Sequence, residues 1–234
     1  MKWSEFFTSS IGKKFVMGLT GIFLITFLVV HVGVNACIWA NDNGEMFNKA
    51  AHFMGSTVVI RIVEVGLFAG FFLHIIQGLM LEFQNRKKRG IGYQVGFGNR
   101  GSKWYSRSMG LLGTLILLFL IMHIYHFWTP SRLGGMFGIH ELQPVTYDGK
   151  EIHNLYAEML MVFQDHLLIV VLYVLGCASL AWHLMHGFQS AFRSVGLYNN
   201  KYLKMAQAVG VVFSIIVPLV FAMMPISMYL HWVE

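Results

Sequence analysis

Eleven histidines stand in a chain with only 11 acidic residues, and six of them fall inside long apolar runs: His31, His74, His123, His126, His183 and His186. An ionisable side chain in such a run is costly and by default functional. A single one is more often a packed, hydrogen-bonded residue. Four runs that each supply one at a matched depth are a different matter. Neutral imidazole is a ligand for iron, copper and zinc. Two imidazoles that face each other across a helical bundle can fill both axial positions of a haem iron, an arrangement suited to electron transfer rather than to oxygen binding. A buried imidazole with neither metal nor hydrogen-bond partner costs several kcal/mol in hydrocarbon.

The elements that must position these histidines are membrane helices. The 234 residues are 56% hydrophobic and 12% charged, with a mean hydropathy of +0.59. A soluble domain carries about 25% charged residues. Apolar runs long enough to cross a bilayer, about 20 residues each, lie at 15–39, 57–84, 108–128, 164–192 and 206–230. The composition therefore predicts a single all-α membrane domain of five transmembrane helices. The first run is too long for a signal-peptide core and lacks a small-residue cleavage site.

Charge placement predicts the orientation. Thirteen of the 17 basic residues share one side: Lys2, Lys13, Lys14, Arg86, Lys87, Lys88, Arg89, Arg100, Lys103, Arg107, Arg193, Lys201 and Lys204. By the positive-inside rule this side is cytoplasmic, so the N-terminus is inside and the C-terminus outside. The net charge of +6 is thus read as a topology signal, not as a nucleic-acid footprint. Arg86–Arg89 could also offer a docking surface. Cys37 and Cys177 form no spaced pair, no C-x-x-C-H is present, and covalent haem attachment is unsupported.

On that topology His31 lies 17 residues beyond Lys14, and His123 lies 16 beyond Arg107, which puts both roughly 25 Å above the inner charges. His74 lies 12 residues before Arg86, and His183 lies 10 before Arg193, both roughly 15–18 Å above them. The expectation is two layers of two, each drawing on two helices. An internal repeat agrees. Met17-Gly18-Leu19-Thr20-Gly21 precedes His31 as Met109-Gly110-Leu111-Leu112-Gly113 precedes His123, and His74-x-x-x-Gly78 matches His183-x-x-x-Gly187. Gly78 and Gly187 would leave room for a flat macrocycle one turn from their histidines. Gly21 and Gly113 fall at about the level of the other layer, and ordinary helix packing is the alternative for all four. His126 and His186 sit three residues beyond His123 and His183; the repeat favours the earlier pair.

These residues resemble a family. His31, His74-x-x-x-Gly78, His123, His183-x-x-x-Gly187 with Gly196, and the segment Phe47–Met54 are similar to the di-haem cytochrome b anchor of succinate:quinone oxidoreductases, the succinate dehydrogenases and fumarate reductases with one large anchor subunit. The segment is like the corresponding loop of Gram-positive members. The resemblance implies two haems b. His74 and His183 would hold the proximal one, and His31 and His123 the distal one, with helices 1–4 as the haem bundle and a fifth helix beside it. It further implies a bacterial cytoplasmic membrane and cytoplasmic partners, namely a flavoprotein with FAD and an iron–sulfur subunit. The electron acceptor or donor would be a quinone, menaquinone on family grounds, and complexes could pair as dimers. Dicarboxylate chemistry would belong to the partners. The chain departs from the family at His186 and in the long connection Thr129–Phe163, expected either to be functional or to be a solvated cap.

A quinone site needs an apolar slot and proton carriers. The outer candidates are His52, Arg61, Glu64, Glu158, Asp165 and His166; the inner ones are Arg86, Trp104, Tyr105 and Arg107. Arg61 and Glu64, three apart, also suit a plain ion pair. The outer side is favoured, because a second haem there is useful only if electrons travel to it. The rivals are a di-haem anchor of another quinol-linked enzyme, such as a nitrate reductase or hydrogenase, and a transporter or structural anchor with packing histidines.

Overall fold

The computed structural model describes residues 9–89, 108–196 and 199–233. Lys2, Arg100, Lys103, Trp104, Tyr105 and Arg107, singled out above, lie outside the described residues, as do the side chains of Lys88 and Arg89. Among the described residues, five helices are long and apolar enough to cross a membrane. The first is α1 (Ser10–Ala36), extended by a 3₁₀ turn, Cys37–Ala40. After the short α2 (Glu45–Ser56) comes α3 (Val58–Arg89). The third span is α4 (Met109–His123), continued by a π turn, Ile124–Trp128, and α5 (Thr129–Leu133). The fourth and fifth are α7 (Leu167–Ser194) and α8 (Asn200–Tyr229). Their outward faces are apolar: Phe72, Leu118, Leu168 and Val212 are each more than half exposed. Such surface is tolerable only where the solvent is lipid.

Several boundaries differ from the sequence expectation: the first helix begins at Ser10 instead of 15, the second reaches Arg89 instead of 84, and the fifth begins at Asn200 instead of 206. The third span runs on to Leu133, because the π turn carries the helix past Pro130, which sits at the start of α5 where a proline costs nothing. The fourth begins at Leu167 instead of 164, so Asp165 and His166 lie in a break between it and α6 (Leu155–Phe163).

The connection after α5 is folded. Strands β1 (Pro144–Tyr147) and β2 (Lys150–His153) pair antiparallel, with Val145 opposite Ile152. Asp148 and Gly149 both adopt positive φ, 51° and 73°, as a two-residue type I′ hairpin turn requires. Asn154 then caps α6 by accepting from the Ala157 N–H at 3.0 Å. Leu142, Ile152 and Glu158 are buried, so this cap has an interior of its own. A purely helical chain was expected; the hairpin is an addition to it.

The described residues divide into two compact units. One comprises those within Met1–Phe27, Gly66–Leu115 and Ser179–Ile216, the other Leu28–Val65, Ile116–Ala178 and Val217–Glu234. In the first unit helices meet at small residues. A methyl group added at Gly18 of α1 would lie 2.8 Å from Ser194 Cβ and 2.9 Å from the Ala191 carbonyl oxygen of α7. Gly70 of α3 abuts Phe23 of α1, Gly110 of α4 abuts Glu82 of α3, and Gly210 of α8 abuts Phe188 of α7. In membranes this close approach, not the hydrophobic effect, holds helices together.

In the second unit the core joins Ile38, Phe47, Tyr156, Phe163, Tyr173 and Met228. Asn48 is fully buried at its edge. Its Nδ2 donates to Tyr147 Oη at 3.2 Å and Asn154 Oδ1 at 2.9 Å, while its Oδ1 accepts from the Tyr156 N–H at 2.9 Å. One side chain thus ties α2 to the hairpin and to the start of α6.

Candidate functional site

In the first unit α3 brings His74 to His183 of α7. Their ring centres are 6.3 Å apart and their planes meet at 64°. In the second unit α1 brings His31 to His123 of α4, with centres 5.7 Å apart and planes at 87°. The four histidines chosen by the repeat therefore pair two by two, with the partners expected, and each pair falls in its own unit.

His126 goes elsewhere. The π turn that follows His123 inserts an extra residue into the helical register, and such turns recur at functional sites. His126 Nδ1 lies 3.0 Å from Tyr173 Oη, and the two rings are nearly parallel at 11°. Phe119 stacks on His123 with centres 5.7 Å apart, and Phe127 and Tyr173 touch its other edges. Phe221 of α8 lies 5.5 Å from the His31 ring. His186 is half-buried beside the first pair.

The second nitrogens differ from ring to ring. His74 Nδ1 lies 3.1 Å from Thr20 Oγ1. Asn35 Nδ2 lies 3.3 Å from His31 Nδ1 and donates to the His31 carbonyl at 2.8 Å. The buried Nδ1 atoms of His123 and His183 have no partner among the described residues. Packing by hydrogen bonds therefore does not account for these two imidazoles.

Do the pairs fit a metal group? Two metal–nitrogen bonds of about 2.0 Å, plus about 1.2 Å from each nitrogen to its ring centre, place two axial imidazoles roughly 6.4 Å apart. The first pair matches that span and the second is slightly short of it. Among the described residues no group of three or more His, Cys, Asp or Glu side chains could hold a metal ion. A tetrapyrrole would supply four further ligands to an iron held by two imidazoles.

The glycines agree with that reading. A methyl group at Gly78 would meet nothing closer than Met17 Cε at 3.9 Å, and at Gly187 nothing closer than His183 Cδ2 at 3.9 Å. At both, an added methyl would make ordinary van der Waals contact without a clash. Gly21 and Gly113 face the first pair: methyls there would lie 3.8 Å from His74 Cε1 and 4.0 Å from His183 Cε1. The repeat thus sets one glycine against each ring of that pair.

The quinone candidates do not form a single cluster. Glu64 is saturated. Its Oε1 accepts from Trp128 Nε1 at 2.6 Å and Arg132 Nε at 3.0 Å, and its Oε2 from Arg132 Nη2 at 3.2 Å and Arg61 Nη1 at 3.3 Å. The Arg61–Glu64 ion pair exists, but Arg132, 68 positions away, is the stronger partner. Glu158 is buried and bonded to the half-exposed His140, Oε2 to Nε2, at 2.9 Å. Desolvation lowers the pKa of the His52 imidazole below its usual value, and the nearby charges of Lys150 and His153 lower it further. Asp165 and His166 are exposed in the break before α7. Sequence reasoning missed His140, Thr20 and Asn35, none of which carries a spacing signal. No family model, curated protein or solved structure matches the chain.

Proposed function

We propose that this chain is a di-haem cytochrome b that anchors a quinone-linked oxidoreductase in a bacterial cytoplasmic membrane, of the succinate dehydrogenase or fumarate reductase class. The observation that carries the proposal is the pairing of four helix-borne histidines into two couples at axial-ligand separation. The contacts of α1 with α3 and α7, and of α4 with α3 and α7, support a bundle of these four helices with α8 alongside.

His74 and His183 would hold one haem b, and His31 and His123 the other. When bound, each haem iron supplies a one-electron carrier. Held by two imidazoles, the iron would be suited to electron transfer rather than to oxygen binding. Phe119, Phe127, Tyr173 and Phe221 wall the second pair and exclude water from it. The quinone, menaquinone on family grounds, is the membrane substrate, and its reduction takes up protons. Of the candidate carriers, Glu158 with His140 is the best placed to move one, because a buried carboxylate there meets a solvent-facing imidazole. Glu64 already has four donors and serves as a tie between α3 and the Trp128–Arg132 segment. Dicarboxylate chemistry and the FAD and iron–sulfur groups belong to a flavoprotein and an iron–sulfur partner, which dock on the basic, cytoplasmic side.

The test is to purify the chain from membranes, record a reduced-minus-oxidised optical spectrum and identify the co-purifying subunits. A sharp α band, two haems per chain and a flavoprotein partner are expected. A colourless polypeptide refutes the reading. A coloured one that brings down a nitrate reductase or hydrogenase keeps the cytochrome and replaces the partner.

A further inference from the structure

Thr20 of α1 is buried, at 8% exposure, against His74 of α3. Its Oγ1 lies 2.8 Å from the Val16 carbonyl oxygen, 3.2 Å from that of Met17 and 3.1 Å from His74 Nδ1. A hydroxyl has one hydrogen to give. Turned toward His74, it would leave Oγ1 facing two carbonyl oxygens with no hydrogen between them. The hydrogen therefore goes to the backbone, and Oγ1 accepts the hydrogen on Nδ1. A neutral imidazole carries one hydrogen, so Nε2 of His74 is left with its lone pair, which is the form that binds a metal.

The neighbouring residue closes on the same edge of the ring. Gly21 lies against His74 Cε1, the atom between the two nitrogens. Thr20 and Gly21 thus grip the imidazole from the side, across two helices. The other rings differ. Nδ1 of His183 has no partner among the described residues, and Asn35 presents His31 Nδ1 with a hydrogen, not with a lone pair.

We propose that Thr20 is a positioning residue for the His74–His183 site, fixing the tautomer and aim of His74 and raising the basicity of its Nε2. The inference rests on the haem reading above. A more basic axial ligand stabilises the oxidised metal, and partners of this kind are generally worth 10- to 100-fold in metal affinity.

The test uses the full chain purified with its haems, as wild type, Thr20→Val and Thr20→Ser. Removing the hydroxyl should raise the midpoint potential of one of the two haems, move its low-spin ferric EPR signal, and speed its transfer to an apo-globin acceptor by roughly 10-fold or more. The second haem should not change. Thr20→Ser, which keeps the acceptor, should restore all three readouts. Should the valine variant fail to accumulate, Thr20→Ala removes the same oxygen and should give the same shifts. Two unperturbed haems in the valine or alanine variant overturn the inference and leave the cytochrome reading intact. Equal shifts in the serine and valine variants also overturn it, since shape alone would then be the cause. A wild-type protein without haem overturns both.

Discussion

Replacing Arg132 by methionine tests the reading of Glu64 as a tie. Arg132 supplies two of the four hydrogen bonds to that carboxylate, and the two side chains are 19% and 18% exposed. Breaking a fully buried ion pair costs about 3–5 kcal/mol, most of it from the charge left behind. An exposed pair is worth about 0–1 kcal/mol. This pair lies between those limits, closer to buried, and Trp128 and Arg61 remain as partners, so Arg132→Met should cost about 2–3 kcal/mol. For a chain of this length that is a fall in thermal midpoint of about 5–10 °C, measurable on detergent-solubilised protein. Arg132→Lys keeps the charge but loses the planar fork, and should fall about halfway. Deleting the carboxylate as well should recover much of the loss, because Glu64→Leu with Arg132→Met strands no buried charge: Arg61, which loses its partner, is half-exposed to begin with. A double variant no more stable than Arg132→Met alone, or a single variant within about one degree of wild type, refutes the reasoning.

Asn48→Ala removes three bonds at a fully buried site and leaves the Tyr156 N–H without its acceptor. It should cost about 2–4 kcal/mol and expose residues 144–154 to proteolysis or hydrogen exchange; an unchanged exchange pattern there would contradict the role given to Asn48. Asn35→Leu should not weaken retention of the haem proposed at His31 and His123. The Asn35 amide hydrogen opposes the hydrogen that Nδ1 must carry once Nε2 is a ligand, so a loss of roughly 10-fold or more on removing Asn35 would show that the amide faces the other way.

The five spans were legible because lipid imposes one crude demand, about 20 apolar residues in a helix, and α1, α3, α7 and α8, and α4 together with its π turn and α5, all meet it. The choice of His123 over His126 was legible only through the repeat, since three residues of helix put both near the same face. In the structure His123 rather than His126 faces His31, because of the π turn, which no local signal announced, and because His126 meets the Tyr173 hydroxyl. The hairpin was a missed signal. Asp148-Gly149 between the alternating Val145, Tyr147 and Ile152 is a strong short-range mark of a two-residue turn, obscured by its place in a polar connection. Arg132 with Glu64, Asn48 with Tyr156 and Thr20 with His74 were not legible. Those partners are 68, 108 and 54 positions apart, and nothing in composition or period links them.

A helix that is apolar on every side gains little by turning one face or another toward lipid, since its neighbours' side chains are no more apolar than acyl chains. Nearly every residue of α4, Met109–His123, is of this kind, so the hydrophobic effect leaves its rotation unset. The few polar and very small residues set it. Gly110 admits Glu82 and Gly113 admits the edge of His183, while His126 reaches Tyr173 and Trp128 reaches Glu64 through the π turn. His123 then faces His31 because the residues before and after it are fixed. The side chains that could do chemistry and those that orient the helices are therefore largely the same set. In such a protein a conservative change at a residue away from the paired imidazoles, Trp128 for example, should re-aim one of them as a change beside it would.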